Sequence, residues 1–253
     1  MRHRPITAVP LGAMLLLLPV LPATSQTGNS GRLSDPCAAA AAPDRPWLSR
    51  AGWLALHEQL LSRKDQLRDT RLVFLGDSIT ARWLTDGREV WEHDFADDAP
   101  LNLGVPGDET GHVLWRIAHG ELDGIHPRVV VVLIGTNNIG NSGQTGRDTA
   151  RGVQCVVDAV RAKLPAANIL LLAVFPREEQ PQAKLRREVN ALNARLSAWQ
   201  HGPAIRYLDL SAAFLDADGR LPRDLFPDGL HLSAAAYEKW AKAMMPAIHA
   251  LMN

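Results

Sequence analysis

A hydroxyl, an imidazole and a carboxylate are the groups from which an activated oxygen nucleophile is assembled, and this sequence carries all three in turn-like settings. Ser78 lies in Val73-Phe74-Leu75-Gly76-Asp77-Ser78-Ile79-Thr80, an apolar run of strand length that breaks at a glycine and restarts with helical character. Asp228 and His231 stand three residues apart in Asp228-Gly229-Leu230-His231, just ahead of the last helical stretch. Gly229 eases the turn that lets the two side chains meet. A hydroxyl is a poor nucleophile until a base takes its proton, and the base needs an acceptor that fixes its tautomer; Ser78, His231 and Asp228 would fill those roles. Each segment alone also has a plainer reading, because Asp and Ser are good helix caps and Asp-Gly is an ordinary turn.

Two further loops supply hydrogen-bond donors. Asn102-Leu103-Gly104-Val105-Pro106-Gly107 and Ile134-Gly135-Thr136-Asn137-Asn138 each follow a short apolar run. The backbone N–H groups of Ser78 and Gly104 and the side-chain amide of Asn137 would give three donors for a developing oxyanion. The four loops together hold a complete acyl-transfer set, which none of them does alone. Because a base must be neutral to accept a proton, activity is expected to fall in acid.

Positioning these loops requires a regular scaffold. From Trp47 onward, short apolar runs alternate with longer amphipathic stretches, the pattern of an α/β domain on a parallel sheet. Five strands are expected, at Leu72 to Leu75, Leu101 to Leu103, Val129 to Ile134, Ile169 to Val174 and Arg206 to Leu210. Val129 to Ile134 is apolar on both faces, as a central strand covered on both sides would be. Helices are expected near 48–69, 109–120, 146–164, 182–200 and 233–251, with Pro165 and Pro203 stopping two of them. In such a sheet functional groups gather at the carboxyl ends of strands, where Ser78 falls.

The four blocks resemble those of the SGNH, or GDSL-type, hydrolases, marked in order by Ser, Gly, Asn and His. Gly76-Asp77-Ser78 matches the first block, Gly104 the second, Gly135-Thr136-Asn137 the third and Asp228 with His231 the last. The first block reads Gly-Asp-Ser-Ile where Gly-Asp-Ser-Leu is usual. Asn102-Leu103-Gly104, His112-Val113-Leu114-Trp115-Arg116, Gly120-Glu121-Leu122 and Gly135-Thr136-Asn137-Asn138 are similar to the catalytic subunits of intracellular platelet-activating factor acetylhydrolases. The resemblance implies a three-layer α/β/α sandwich with a five-stranded parallel sheet, flavodoxin-like, a short-chain acetyl ester substrate, and a homodimer. Similar sequences among exported carbohydrate acetylesterases make an acetylated glycan the other expected substrate. An acyltransferase would use the same residues, and a non-catalytic binding protein could share the fold.

The rest of the chain sets the context. Lys plus Arg and Asp plus Glu each total 27, and no basic face interleaved with aromatics stands out, so nucleic acid is not an expected partner. Arg2, His3 and Arg4 precede an apolar stretch, Leu11 to Leu21, that ends in Pro22-Ala23-Thr24-Ser25, the layout of a signal peptide over 1–25. That stretch is about half the roughly 20 residues a bilayer span requires, so a secreted or periplasmic protein without a stable membrane anchor is expected. Residues 26–45 are rich in Gly, Ser, Pro and Ala and read as a flexible linker to a single hydrolase domain over 46–253. Cys37 and Cys155 could pair in an oxidising compartment, but Cys155 sits in an apolar helical stretch and is expected as a buried free thiol. His57, His93, His112, His119 and His126 lack metal-site spacing, and neither metal nor cofactor is expected. Trp47, Trp53, Trp83 and Trp91 could stack on a sugar, yet their apolar area favours the core, and Trp115 is expected in the core or a dimer interface.

Overall fold

The computed structural model describes residues 35–253 apart from Arg68, Gln200 and His201. The signal peptide and residues 26–34 of the expected linker lie outside the described residues. Five parallel strands form one sheet in the order β2-β1-β3-β4-β5: β1 Leu72–Gly76, β2 Pro100–Gly104, β3 Val129–Leu133, β4 Asn168–Leu172 and β5 Ile205–Leu208. This is the flavodoxin-like order, and the chain reverses its direction of travel across the sheet at β1 and β3. The register aligns Gly76 with Gly104 and Leu133, so the ends of β1, β2 and β3 finish level at one edge.

Alternation along β1 and β3 divides the apolar side chains between two layers. Val73, Leu75, Val130 and Val132 face one side, and Leu72, Phe74, Val129 and Val131 the other. The first layer is covered by α1 Arg50–Gln66, α4 Thr110–Ala118, α6 Gly146–Lys163 and α7 Lys184–Ala198. The second is covered by α3 Arg88–Asp94 and by α8 Ala234–Met252, which buries Tyr237, Trp240, Met244 and Ile248. A fully buried side chain such as Met244 or Ile248 contributes roughly 1.5–3 kcal/mol. Two short helices, α2 Ser78–Ala81 and α5 Thr136–Gly140, start where β1 and β3 end. No helix among the described residues is long and apolar enough to cross a membrane.

Two expectations need correction. Residues 35–45 are not a free linker where they are described: Ala42 is buried, Ala40 donates its N–H to Gly111 O at 3.1 Å, and Arg45 pairs with Glu109 at 2.7 Å. Cys155 is not a free thiol but is bonded to Cys37, with Cα atoms 5.6 Å apart. The two errors have one cause. Cys155 lies on the part of α6 that the incoming segment crosses, with Pro36 O packed over Gly152, and a helical pattern cannot reveal what crosses it.

Candidate active site

Gly76 is the last residue of β1, and only glycine fits there, since a Cβ would stand 2.3 Å from Leu133 O and even closer to Thr80 Oγ1. Asp77 then caps α2, its carboxylate accepting the Ile79 N–H at 2.9 Å, and Ser78 occupies the first helical position. An N–H at that position has no acceptor within its helix. From across the sheet end, the loop before α8 brings His231 to Ser78, with Oγ and Nε2 3.1 Å apart. Asp228 accepts three bonds from its own turn: the N–H groups of Leu230 and His231 on Oδ1, at 2.9 and 2.7 Å, and His231 Nδ1 on Oδ2 at 2.6 Å. With the ring proton on Nδ1, Nε2 is left as an acceptor for the Ser78 hydroxyl.

Gly229 makes that turn with φ +73°, and its carbonyl accepts the Glu178 N–H at 2.7 Å. Partial burial pushes the Asp228 carboxyl up, but the bonds from the His231 ring, the His231 N–H and the Leu230 N–H outweigh it and carry it down to about 2. The arrangement is a hydroxyl, a base oriented to accept from it and an ionised carboxylate behind the base, which can form and break an acyl-oxygen bond.

Ser78 and His231 open into a cavity of about 400 Å³ whose lining includes Asn137, Asn141, Gly107 and Trp47. Asn137 is buried on α5; its amide nitrogen donates one hydrogen to Asp108 O at 3.0 Å, which leaves the second available. Gly104 stands differently from the expectation. Its N–H is donated to Asn102 Oδ1 at 2.9 Å, and a Cβ there would lie 2.3 Å from Ala81 N, so it is a close-packing glycine behind α2. Gly107, with φ +81°, is the glycine of this loop that lines the cavity. Pro106 before it was the signal for a turn needing a positive φ.

The tryptophans divide. Trp53, Trp83 and Trp91 are buried and Trp115 packs partly buried against the core, as expected, but Trp47 is 57% exposed and stands at the cavity.

The model of the GDSL-like lipase/acylhydrolase family matches residues 74–239, which contain Ser78, Gly107, Asn137, Asp228 and His231. The chain belongs to that family. Chicken platelet-activating factor acetylhydrolase IB subunit alpha2 is 34% identical over 203 residues, 79% of this chain and 85% of its own length. The human alpha1 subunit is 34% identical over 194 residues, 76% of this chain and 80% of its own. The fold is shared with a GDSL-like lipase from Bacteroides thetaiotaomicron, 19% identical, covering 77% of this chain and 98% of that one with a TM-score of 0.63. It is shared also with an acetylxylan esterase from Geobacillus stearothermophilus, 18% identical, covering 72% and 96% with a TM-score of 0.55.

In this GDSL-like acylhydrolase a single buried guanidinium ties the loops together. Arg116, fully buried on α4, donates to Asp108 Oδ2 at 2.8 Å, to Leu103 O at the end of β2 at 3.1 Å, to Gly76 O at the end of β1 at 3.3 Å, and to Glu121. Asp108 also takes the Trp53 indole N–H at 2.7 Å, and its carbonyl holds Asn137. Asn138, next along, caps α4 by accepting the Thr110 N–H at 3.0 Å. A charge buried this way is stable only because it is paired and hydrogen-bonded on several sides.

Burial likewise pushes Asp77 up to about 7; the Ile79 N–H opposes this and the nearby Asp108 adds to it. A carboxyl whose folded value exceeds its unfolded value of about 4 binds its proton more tightly when folded. Its contribution to stability is therefore present below pH 4 and is lost as pH rises through 7. Asp77→Asn keeps a capping acceptor without that ionisation. Thermal melting should show the variant gaining on the native protein between pH 5 and pH 8; a constant gap would show that Asp77 ionises freely in the fold.

Proposed function

We propose that this acylhydrolase is an exported serine esterase that removes short acyl groups, acetyl first, from small or carbohydrate esters. The observation that carries the reading is the continuous hydrogen-bond chain from Ser78 through His231 to Asp228 at the wall of an open cavity. In the proposed cycle Ser78 Oγ attacks the ester carbonyl as His231 Nε2 takes its proton. The oxyanion is held by the Ser78 N–H, the second Asn137 amide hydrogen and, in place of Gly104, the Gly107 N–H. His231 then protonates the leaving alcohol, and water, deprotonated by the same ring, releases the acid from Ser78.

The cavity, about 400 Å³, supports a small acyl group with a modest alcohol. The Cys37–Cys155 bridge supports export, since such bonds persist in oxidising compartments. The test is hydrolysis of p-nitrophenyl esters from acetate to decanoate by the mature protein. Turnover that is greatest for acetate is expected; a maximum at decanoate would refute the short-chain assignment, and no turnover of any ester by folded protein would refute the esterase. Asn137→Ala should lower kcat roughly 100- to 1,000-fold, the range for one oxyanion donor, with KM changed little. Full activity in that variant would remove Asn137 from the oxyanion set.

A further inference from the structure

Trp47 is the exposed large aromatic among the described residues, and its position is built by several independent attachments. The segment 35–48 is bonded to α6 through Cys37–Cys155 and hydrogen-bonded to α4 through Ala40 and Gly111. Arg45 is fastened to Glu109, and Arg45 and Leu48 exchange backbone hydrogen bonds of 3.0 and 3.2 Å that close a tight turn. Ser49 then caps α1. Trp47 sits in that turn with both flanks fixed, and its indole nitrogen lies 3.1 Å from where a Cβ on Gly107 would be. The turn sets the ring at the cavity wall with its backbone fixed on both sides, yet leaves it largely exposed, without the burial that ordinarily places an indole in the core.

We infer that Trp47 is the platform on which the alcohol part of the substrate, a pyranose ring, stacks, and that the Cys37–Cys155 bridge holds the platform over the reacting serine. The inference rests on the esterase reading for what happens at Ser78. An indole face takes the C–H face of a sugar, and the same cavity offers hydrogen-bonding side chains for hydroxyl groups in Asn141 and Arg82. An aliphatic alcohol such as ethanol presents no ring, so its ester would not use the platform.

The experiment compares kcat/KM for a monoacetylated methyl xylopyranoside, which keeps its other hydroxyl groups free, and for ethyl acetate. Trp47→Ala should lower the sugar value roughly tenfold more than the ethyl acetate value, mainly through KM. Equal losses on both esters, or none on the sugar ester, would overturn the platform; so would a loss confined to an acetylated glycerophospholipid, which would reassign Trp47 to a lipid. The double variant Cys37→Ser/Cys155→Ser should reproduce the sugar-selective loss in the native background and add nothing in the Trp47→Ala background. A further loss there would mean that the bridge acts on the fold and not through Trp47. Should the native protein hydrolyse no ester, the esterase reading fails by itself. Calorimetry on Ser78→Ala with the acetylated xylopyranoside then judges the platform: binding removed by adding Trp47→Ala supports it, and binding absent or unaffected overturns it.

Discussion

Ser78→Ala should lower kcat on p-nitrophenyl acetate about 10⁶-fold, the cost of removing the nucleophile from a comparable site. The size of the effect follows from what the substitution leaves in place. The Ser78 side chain is nearly buried and makes its contact with His231, so alanine removes one oxygen and one hydrogen bond. Asp77 still caps α2 through the Ile79 N–H, and the backbone N–H at position 78 is untouched by the substitution. The melting temperature should accordingly stay within a few degrees of the native value, since a single lost hydrogen bond is worth about 1 kcal/mol. Covalent labelling by a fluorophosphonate, which needs the same oxygen, should vanish together with turnover. Retention of more than about 1% of kcat with labelling abolished would mean that the ester is cleaved by water without an acyl-enzyme; retention of both would place the nucleophile elsewhere.

The parts of this site that could be read in the sequence are those set by local structure. Val129 to Leu133 shows itself as a central strand because both of its faces are buried, and Ser78 shows itself because it follows a strand at a glycine. The Asp228 and His231 pair is local too, its geometry closed within four residues. What escaped was tertiary. The short helices α2 and α5 are too brief to display a 3.6-residue period, although they carry Ser78 and Asn137. Gly104 and Gly107 stand three residues apart in one Gly- and Pro-containing segment, and although Pro106 marks the turn at Gly107, only the packing of the end of β2 behind α2 shows that Gly104 serves close approach while Gly107 lines the cavity. Trp47 and Cys155 were misplaced for a shared reason. Both are governed by the segment 35–48, whose Ala- and Pro-rich composition looks unstructured and is ordered by what it lies against.

Asp228→Asn tests whether the turn at 228–231 sets the tautomer of the base. The carboxylate holds the two backbone N–H groups on Oδ1 and the imidazole Nδ1 on Oδ2. An asparagine can satisfy the two backbone donors only by giving them its one carbonyl oxygen, which turns its NH₂ group toward the ring. Nδ1 must then accept, the ring proton moves to Nε2, and Nε2 can no longer take the proton of Ser78. Flipping the amide restores the ring contact but sets NH₂ against two N–H groups, so the wrong tautomer is the stable one. The expected result is a loss in kcat of about 10⁴-fold, as for the same exchange in other Ser-His-Asp sites, with KM nearly unchanged. Asp228 is half exposed and its cap to the turn survives, so melting should hardly move at neutral pH. With the native carboxyl carried down to about 2, it stays ionised across the working range and cannot account for any acid limb above pH 4. A tenfold loss or less would mean that the Ser78 contact and the surrounding loops orient His231 without the carboxylate, and the acid would then have to be assigned a structural role in the turn alone.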